Sequence, residues 1–128
     1  MLYIIDGHNF IHSSHFKFSQ ENSLYEFIEI IQNIANSDPK KKFQIIFDGF
    51  PPKNYSYKTL PQHKNLKVTF SLDEDADAII KRKLDLITNK NETTLVTNDR
   101  EIQVYAKNLD IQISSIIQFE KFLQQRLE

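Results

Sequence analysis

Cysteine and tryptophan are absent from this 128-residue chain, and glycine occurs only twice. Without cysteine there is no disulfide framework, no thiolate-held zinc and no thiol nucleophile. No apolar run approaches the ~18 residues of a membrane span, and no apolar leader precedes a small-residue cleavage site. A cytoplasmic protein without a membrane partner is therefore expected. Charge of one sign is also lacking: 16 basic and 17 acidic side chains leave a formal charge of −1, so contact with nucleic acid has to come from a local patch. Aromatic and apolar residues are plentiful. The 10 Phe and 5 Tyr, within a hydrophobic share of 40%, suffice for a packed core and exclude intrinsic disorder. The length fits one domain, residues 1–128.

Leu2-Tyr3-Ile4-Ile5 and Phe43-Gln44-Ile45-Ile46-Phe47 are short apolar runs that read as buried strands, ending at Asp6-Gly7 and Asp48-Gly49. Between them Leu24, Phe27, Ile28, Ile31, Ile34 and Ala35 recur at helical spacing, with Ser23 as cap and Asp38-Pro39 as stop. Leu66 to Phe70 is a third strand, followed by a helix with an Ala76, Ile79, Ile80, Leu84 and Ile87 face. Thr94 to Thr97 forms strand four, Glu101 to Lys107 a short helix, Ile111 to Ser114 strand five, and Ser115 caps a last helix. Strands that are apolar throughout and alternate with helices predict a three-layer α/β sandwich around a central five-stranded, mostly parallel sheet.

In such a sheet the C-terminal strand ends share one edge, where ligands bind. The residues at those ends are Asp6, Asp48, the cluster Asp73-Glu74-Asp75-Ala76-Asp77, and Asn98-Asp99. Two unit charges ~4 Å apart repel by about 1 kcal/mol in water and about 4 at an effective dielectric of 20; a cation removes that penalty. Carboxylate oxygens select Mg²⁺ or Mn²⁺ over softly ligated metals, and such ions serve phosphodiester hydrolysis. Helix-dipole preference alone accounts for many acids in a first turn. Asp77 differs, because it sits beside buried Ala76 and three residues before Ile80, with Glu74 one turn earlier. Asp99 also suits a helix N-cap. The two glycines each follow a strand-ending Asp, which predicts a tight or closely approached backbone there. A hairpin turn is the competing reading of Asp-Gly, and Pro51-Pro52 weakens it at the second site.

Four segments resemble the PIN-like nucleases, and among them the YacP-like branch of the NYN domain. They are Ile4-Ile5-Asp6-Gly7-His8-Asn9, Ile46-Phe47-Asp48-Gly49, Glu74-Asp75-Ala76-Asp77-Ala78-Ile79-Ile80 and Val96-Thr97-Asn98-Asp99-Arg100-Glu101-Ile102. The resemblance implies a metal-dependent endoribonuclease in which Asp6, Asp77 and Asp99 line the Mg²⁺ or Mn²⁺ site and Asn9 assists. By analogy Asp48 supports the pocket, as do Glu74 and Asn98. The branch includes a ribosome-associated mRNA nuclease, so the resemblance adds a ribosome to single-stranded RNA or mRNA as a partner. His8 stands where tyrosine is frequent in the branch, and Asn98 where serine is common.

From Phe50 to Leu72 there is no acid, while Lys53, Lys58, Lys64, Lys67 and His63 alternate with Phe50, Tyr55, Tyr57 and Phe70. Cations among aromatics suit phosphates and unstacked bases. Lys53, Tyr55 and Lys58 are therefore candidate RNA contacts, with Arg100 beside Asp99 and His8 beside the site. The competing reading has the tyrosines packed back on the sheet. Lys40-Lys41-Lys42 reads as a solvated turn. His8, His12 and His15 have spacings that could hold a metal on one helical face, although a loop or irregular helix start fits Ser13 and Ser14 better. The rival to the nuclease is a non-catalytic RNA- or ribosome-binding module on the same scaffold. A phosphorylated receiver domain fits less well, because the first strand lacks an adjacent acid pair.

Overall fold

The computed structural model describes residues 1–53, 55 and 64–127. Its elements are β1 (Leu2–Asp6), α1 (Gly7–Ser13), α2 (Ser23–Ser37), β2 (Lys42–Phe47), β3 (Leu66–Phe70), α3 (Ala76–Asp85), a 3-10 turn (Lys90–Glu92), β4 (Thr93–Val96), α4 (Arg100–Asn108), β5 (Gln112–Ser114) and α5 (Ile116–Leu127). The five strands form one sheet in the order β3-β2-β1-β4-β5, and every adjacent pair is parallel. Parallel pairing on both sides of β1 and β2 excludes the hairpin reading of the two Asp-Gly steps.

Strand side chains alternate between two cores. Ile5, Ile45, Phe47 and Val96 face α1, α2 and α5, represented by Phe10, Phe27, Ile31 and Phe119. Ile4, Ile46 and Leu95 face Ile80 and Leu84 of α3 and Ile102 of α4. Each such side chain, fully buried, contributes ~1.5–3 kcal/mol. The continuous apolar strands follow from this double cover, because a residue on either face meets a helix.

Where a loop or irregular helix start was expected around His8 to His15, helix α1 runs from Gly7 to Ser13. Its seven residues include a glycine and two histidines, so propensity does not drive it. Tertiary packing does: Phe10 is fully buried, stacks on Phe27 with ring centroids 4.5 Å apart and meets Phe119 edge-on at 6.0 Å. Gly7 allows the helix to start against β2, since a Cβ there would lie 2.5 Å from the Phe47 ring. Gly49, with φ +82°, needs the left-handed conformation that glycine adopts freely. Both glycines thus occupy the constrained backbone their context predicts. His15 falls beyond α1, where its Nδ1 lies 3.1 Å from Oε2 of the buried Glu120 on α5.

At α2 the cap differs from expectation. Ser23 is the first helical residue and Asn22 is the cap, while Glu26 reaches back to accept from both the backbone N–H and the hydroxyl of Ser19 at 2.7 and 2.8 Å. At α5 the expected Ser115 cap is present and reciprocal: Gln118 N donates to Ser115 Oγ at 3.2 Å, and Ser115 N donates to Gln118 Oε1 at 2.9 Å.

From β1 the chain moves outward through β2 to β3, then returns to place β4 on the other side of β1. The reversal makes the C-terminal ends of β1 and β4 the topological switch point, where open parallel sheets leave a crevice. Asp6 ends β1, and Thr97, Asn98 and Asp99 follow β4.

Candidate active site

Asp6 is 9% exposed at the end of the central strand. Its Oδ2 accepts the hydroxyl proton of Thr97 at 3.0 Å, and the same Thr97 Oγ1 accepts the Asp99 N–H at 3.1 Å. Asp99 in turn caps α4, its Oδ1 accepting from Glu101 N at 2.9 Å and Ile102 N at 3.2 Å. Capping uses one carboxylate oxygen and leaves Oδ2 without a hydrogen-bond partner among the described residues. Asp77 occupies the first turn of α3, one residue after buried Ala76, as its sequence position suggested. The helix is anchored at that point by Asp48, whose Oδ1 accepts the Ala76 N–H at 2.9 Å.

The electrostatics bring these acids into one neighbourhood. Burial pushes the Asp77 carboxyl up to about 6, and the charges of Asp99 and Asp6, then of Asp75 and Glu101, push the same way. Asp6 is raised chiefly by burial, against the lowering effect of the Thr97 hydroxyl and the Asn9 backbone N–H, with Asp99 and Asp48 adding repulsion. Asp77 therefore senses the charges of Asp6 and Asp99, and Asp6 that of Asp99, although the three come from segments far apart in sequence. Two cations of α3 are engaged with other acids. Lys81 Nζ pairs with Glu101 at 3.0 Å, and Arg82 pairs with Glu74.

The donors are carboxylate oxygens, which suits a hard divalent cation. Among the described residues no three His, Asp or Glu side chains stand close enough to ligate one ion together.

The remaining expected residues divide. Asn9 is at the site, but its carboxamide oxygen accepts the Asn98 N–H at 2.8 Å, a bond that ties α1 to the turn after β4. Asn98 lends its side-chain oxygen to Ile116 N at 2.9 Å, which anchors α5 to the same turn. Glu74 is turned to Arg82 and is not among the charges acting on Asp6 or Asp77. His8 is half-buried, its ring edge-on to Phe47 at 5.2 Å and 6.2 Å from the ring of His12. Arg100 is exposed and makes no ion pair among the described residues, and Lys53 is exposed after Pro51-Pro52. Tyr55 packs inward, 4.9 Å from Phe70 and 6.0 Å from Tyr25, so for this tyrosine the competing reading holds. Lys58 lies outside the described residues.

The model of the YacP-like NYN domain matches residues 3–127. The chain belongs to that family. NYN domains are part of the PIN-like nuclease superfamily, whose members usually use divalent metals. Two solved structures share the fold: Rae1 (YacP) from Bacillus subtilis, with a TM-score of 0.78 and 16% identity over 99% of this chain and 75% of that one, and a tryptophan-to-leucine variant of it, with a TM-score of 0.74 and 16% identity over 99% and 76%. No curated protein sequence matches the chain. Within this YacP-like NYN domain the acidic edge lies at the switch point of the shared fold.

Thr97 is the site residue that sequence reasoning passed over. It is fully buried and touches both Asp6 and Asp99. The available signal was a hydroxyl residue directly after an apolar strand and two positions before Asp99, but its use depends on knowing that β4 lies beside β1.

Proposed function

We propose that this NYN domain is a divalent-metal-dependent endoribonuclease that hydrolyses phosphodiester bonds of single-stranded RNA or mRNA in the cytoplasm. The observation that carries the reading is the gathering of Asp6, Asp77 and Asp99 at one edge of the sheet, where burial, and then the charges of Asp99 and Asp6, raise Asp77 to about 6. Such a cluster opposes folding unless a ligand of opposite charge uses it.

Asp6, Asp77 and Asp99 would hold Mg²⁺ or Mn²⁺, directly or through its waters. Bound there, the ion would lower the pKa of a coordinated water and neutralise charge developing on the phosphate. Asp6 is held in orientation by Thr97, and Asp99 by its cap bonds to α4. Asp48 fixes the start of α3 and hence the position of Asp77. Asn9 has its carboxamide N–H₂ left to orient a phosphate or water, because only its oxygen is used in the bond to Asn98. Arg100, exposed at the first turn of α4, would meet a phosphate. Association with a ribosome belongs to the same proposal as a route to mRNA.

The test is cleavage of a 5′-labelled single-stranded RNA by purified protein with Mg²⁺, with Mn²⁺ and with EDTA. Cutting in metal, silence in EDTA and silence of Asp6→Asn in every condition are expected. RNA binding without turnover would instead favour the non-catalytic module, and undiminished cutting by Asp6→Asn would reject the site.

A further inference from the structure

Phe50 and Leu72 are large apolar residues left 65% and 50% exposed at the end of the sheet that carries the acids. Both sit on strand-end loops, two residues after Asp48 and two after Phe70. The loops are cross-linked: Leu72 N donates to Gly49 O at 2.9 Å, and Gly49 N donates to Ser71 Oγ at 2.7 Å. Asp48, next in line, holds the first turn of α3 through Ala76 N. The backbones of Phe50 and Leu72 are thus registered against each other and against the helix that presents Asp77. Leu72 has φ +61°, a left-handed conformation unfavourable for a leucine, and its half-exposed side chain gains little packing in return. Phe50 makes no ring contact with another described residue.

We propose that Phe50 and Leu72 form an apolar ledge on which a nucleobase of single-stranded RNA stacks while the adjoining phosphate lies at the acidic edge. The proposal rests on the ribonuclease reading and adds the residues that seat the substrate. A negatively charged edge repels phosphates, and a chain of net charge −1 supplies no long-range attraction, so affinity needs a source that does not depend on charge. Stacking on an aromatic face is such a source. It strengthens binding by roughly 5- to 150-fold per base and tolerates any base, because each has a π-face. Exposed Lys53, three residues after Phe50, lies within the same segment for the neighbouring phosphate. Leu86, 80% exposed, lines a cavity at the opposite edge with Met1 and Lys42 and serves as a control position.

Because the chain has no tryptophan, Phe50→Trp creates a single fluorescent reporter at the ledge. In EDTA, a short single-stranded RNA should quench its emission saturably, an abasic ribose-phosphate oligomer of equal length should not, and Leu86→Trp should respond to neither. In metal, Phe50→Ala should raise KM for RNA by about tenfold, the loss falling on KM and not on kcat, with Phe50→Trp restoring it. Unchanged emission from Phe50→Trp on adding RNA, or quenching by the abasic oligomer equal to that by RNA, overturns the ledge even where the wild type cleaves RNA. Base-dependent quenching in a protein that cleaves nothing supports the ledge and removes the nuclease reading alone.

Discussion

Thr97 Oγ1 donates to Asp6 Oδ2 across 3.0 Å and accepts the Asp99 N–H at 3.1 Å, so one buried hydroxyl ties the end of β1 to the start of α4. Thr97→Val keeps the shape and removes both bonds, leaving a buried carboxylate oxygen and a backbone N–H unpaired. Stability should fall by about 1–3 kcal/mol in urea unfolding, and RNA cleavage should drop with it. Thr97→Ser keeps the hydroxyl and should recover most of the activity. Wild-type stability and cleavage in Thr97→Val would show that the two hydrogen bonds do not matter.

Asp77 gives a pH dependence of definite sign. Its folded-state carboxyl, raised to about 6, lies above the ordinary value of 3.8. The native state therefore binds more protons than the unfolded state in that interval, and the ionised form destabilises the fold at higher pH. Asp77→Asn should melt at a higher temperature than wild type at pH 7.5 without metal. The gap should narrow as pH falls through about 6 and be gone below about 4. Saturating Mn²⁺ should raise the melting temperature of wild type more than that of the variant at pH 7.5. A gap independent of pH between 4 and 7.5 would show that the carboxyl is not raised.

Asp99 has two jobs that substitution can separate. Asparagine caps helices as well as aspartate does, whereas alanine costs about 1 kcal/mol. Asp99→Asn should keep wild-type stability and lose cleavage; Asp99→Ala should lose both. Cleavage retained by Asp99→Asn would leave Asp99 with its capping role alone.

Gly7→Ala tests how α1 is seated. The added methyl would meet the buried Phe47 ring at 2.5 Å and Ile45 Cγ2 at 3.0 Å, a clash expected to cost about 1–3 kcal/mol. Because Asn9 lies on the same helix and bonds to Asn98, a shift of α1 should also reduce activity. Gly49→Ala meets no steric obstacle, and its cost should come from φ +82° alone.

The sheet and four of the helices were legible because each strand is covered on both faces and each helix has one apolar stripe. Asp6, Asp77 and Asp99 were legible as strand-end or first-turn acids once a parallel sheet was expected. Helix α1 was not, because its glycine, two histidines and one serine carry no helical preference and its formation depends on Phe10 stacking with Phe27, a contact between segments. Thr97 was missed for the same reason: its partner Asp6 is 91 residues away and adjacent only in the order β1-β4. Glu74 shares a turn with the site in sequence, but Arg82 draws it aside. Tyr55 sits in a basic, aromatic segment that reads as a surface, while its ring closes over Phe70.

Binding of Mn²⁺ to metal-free protein at pH 7.5, followed by electron paramagnetic resonance, tests most directly whether the three acids form one site. Saturable uptake by wild type is expected, with Asp6→Asn, Asp77→Asn and Asp99→Asn each weakening it by about tenfold or more. Uptake equal to wild type in all three variants would contradict a shared site.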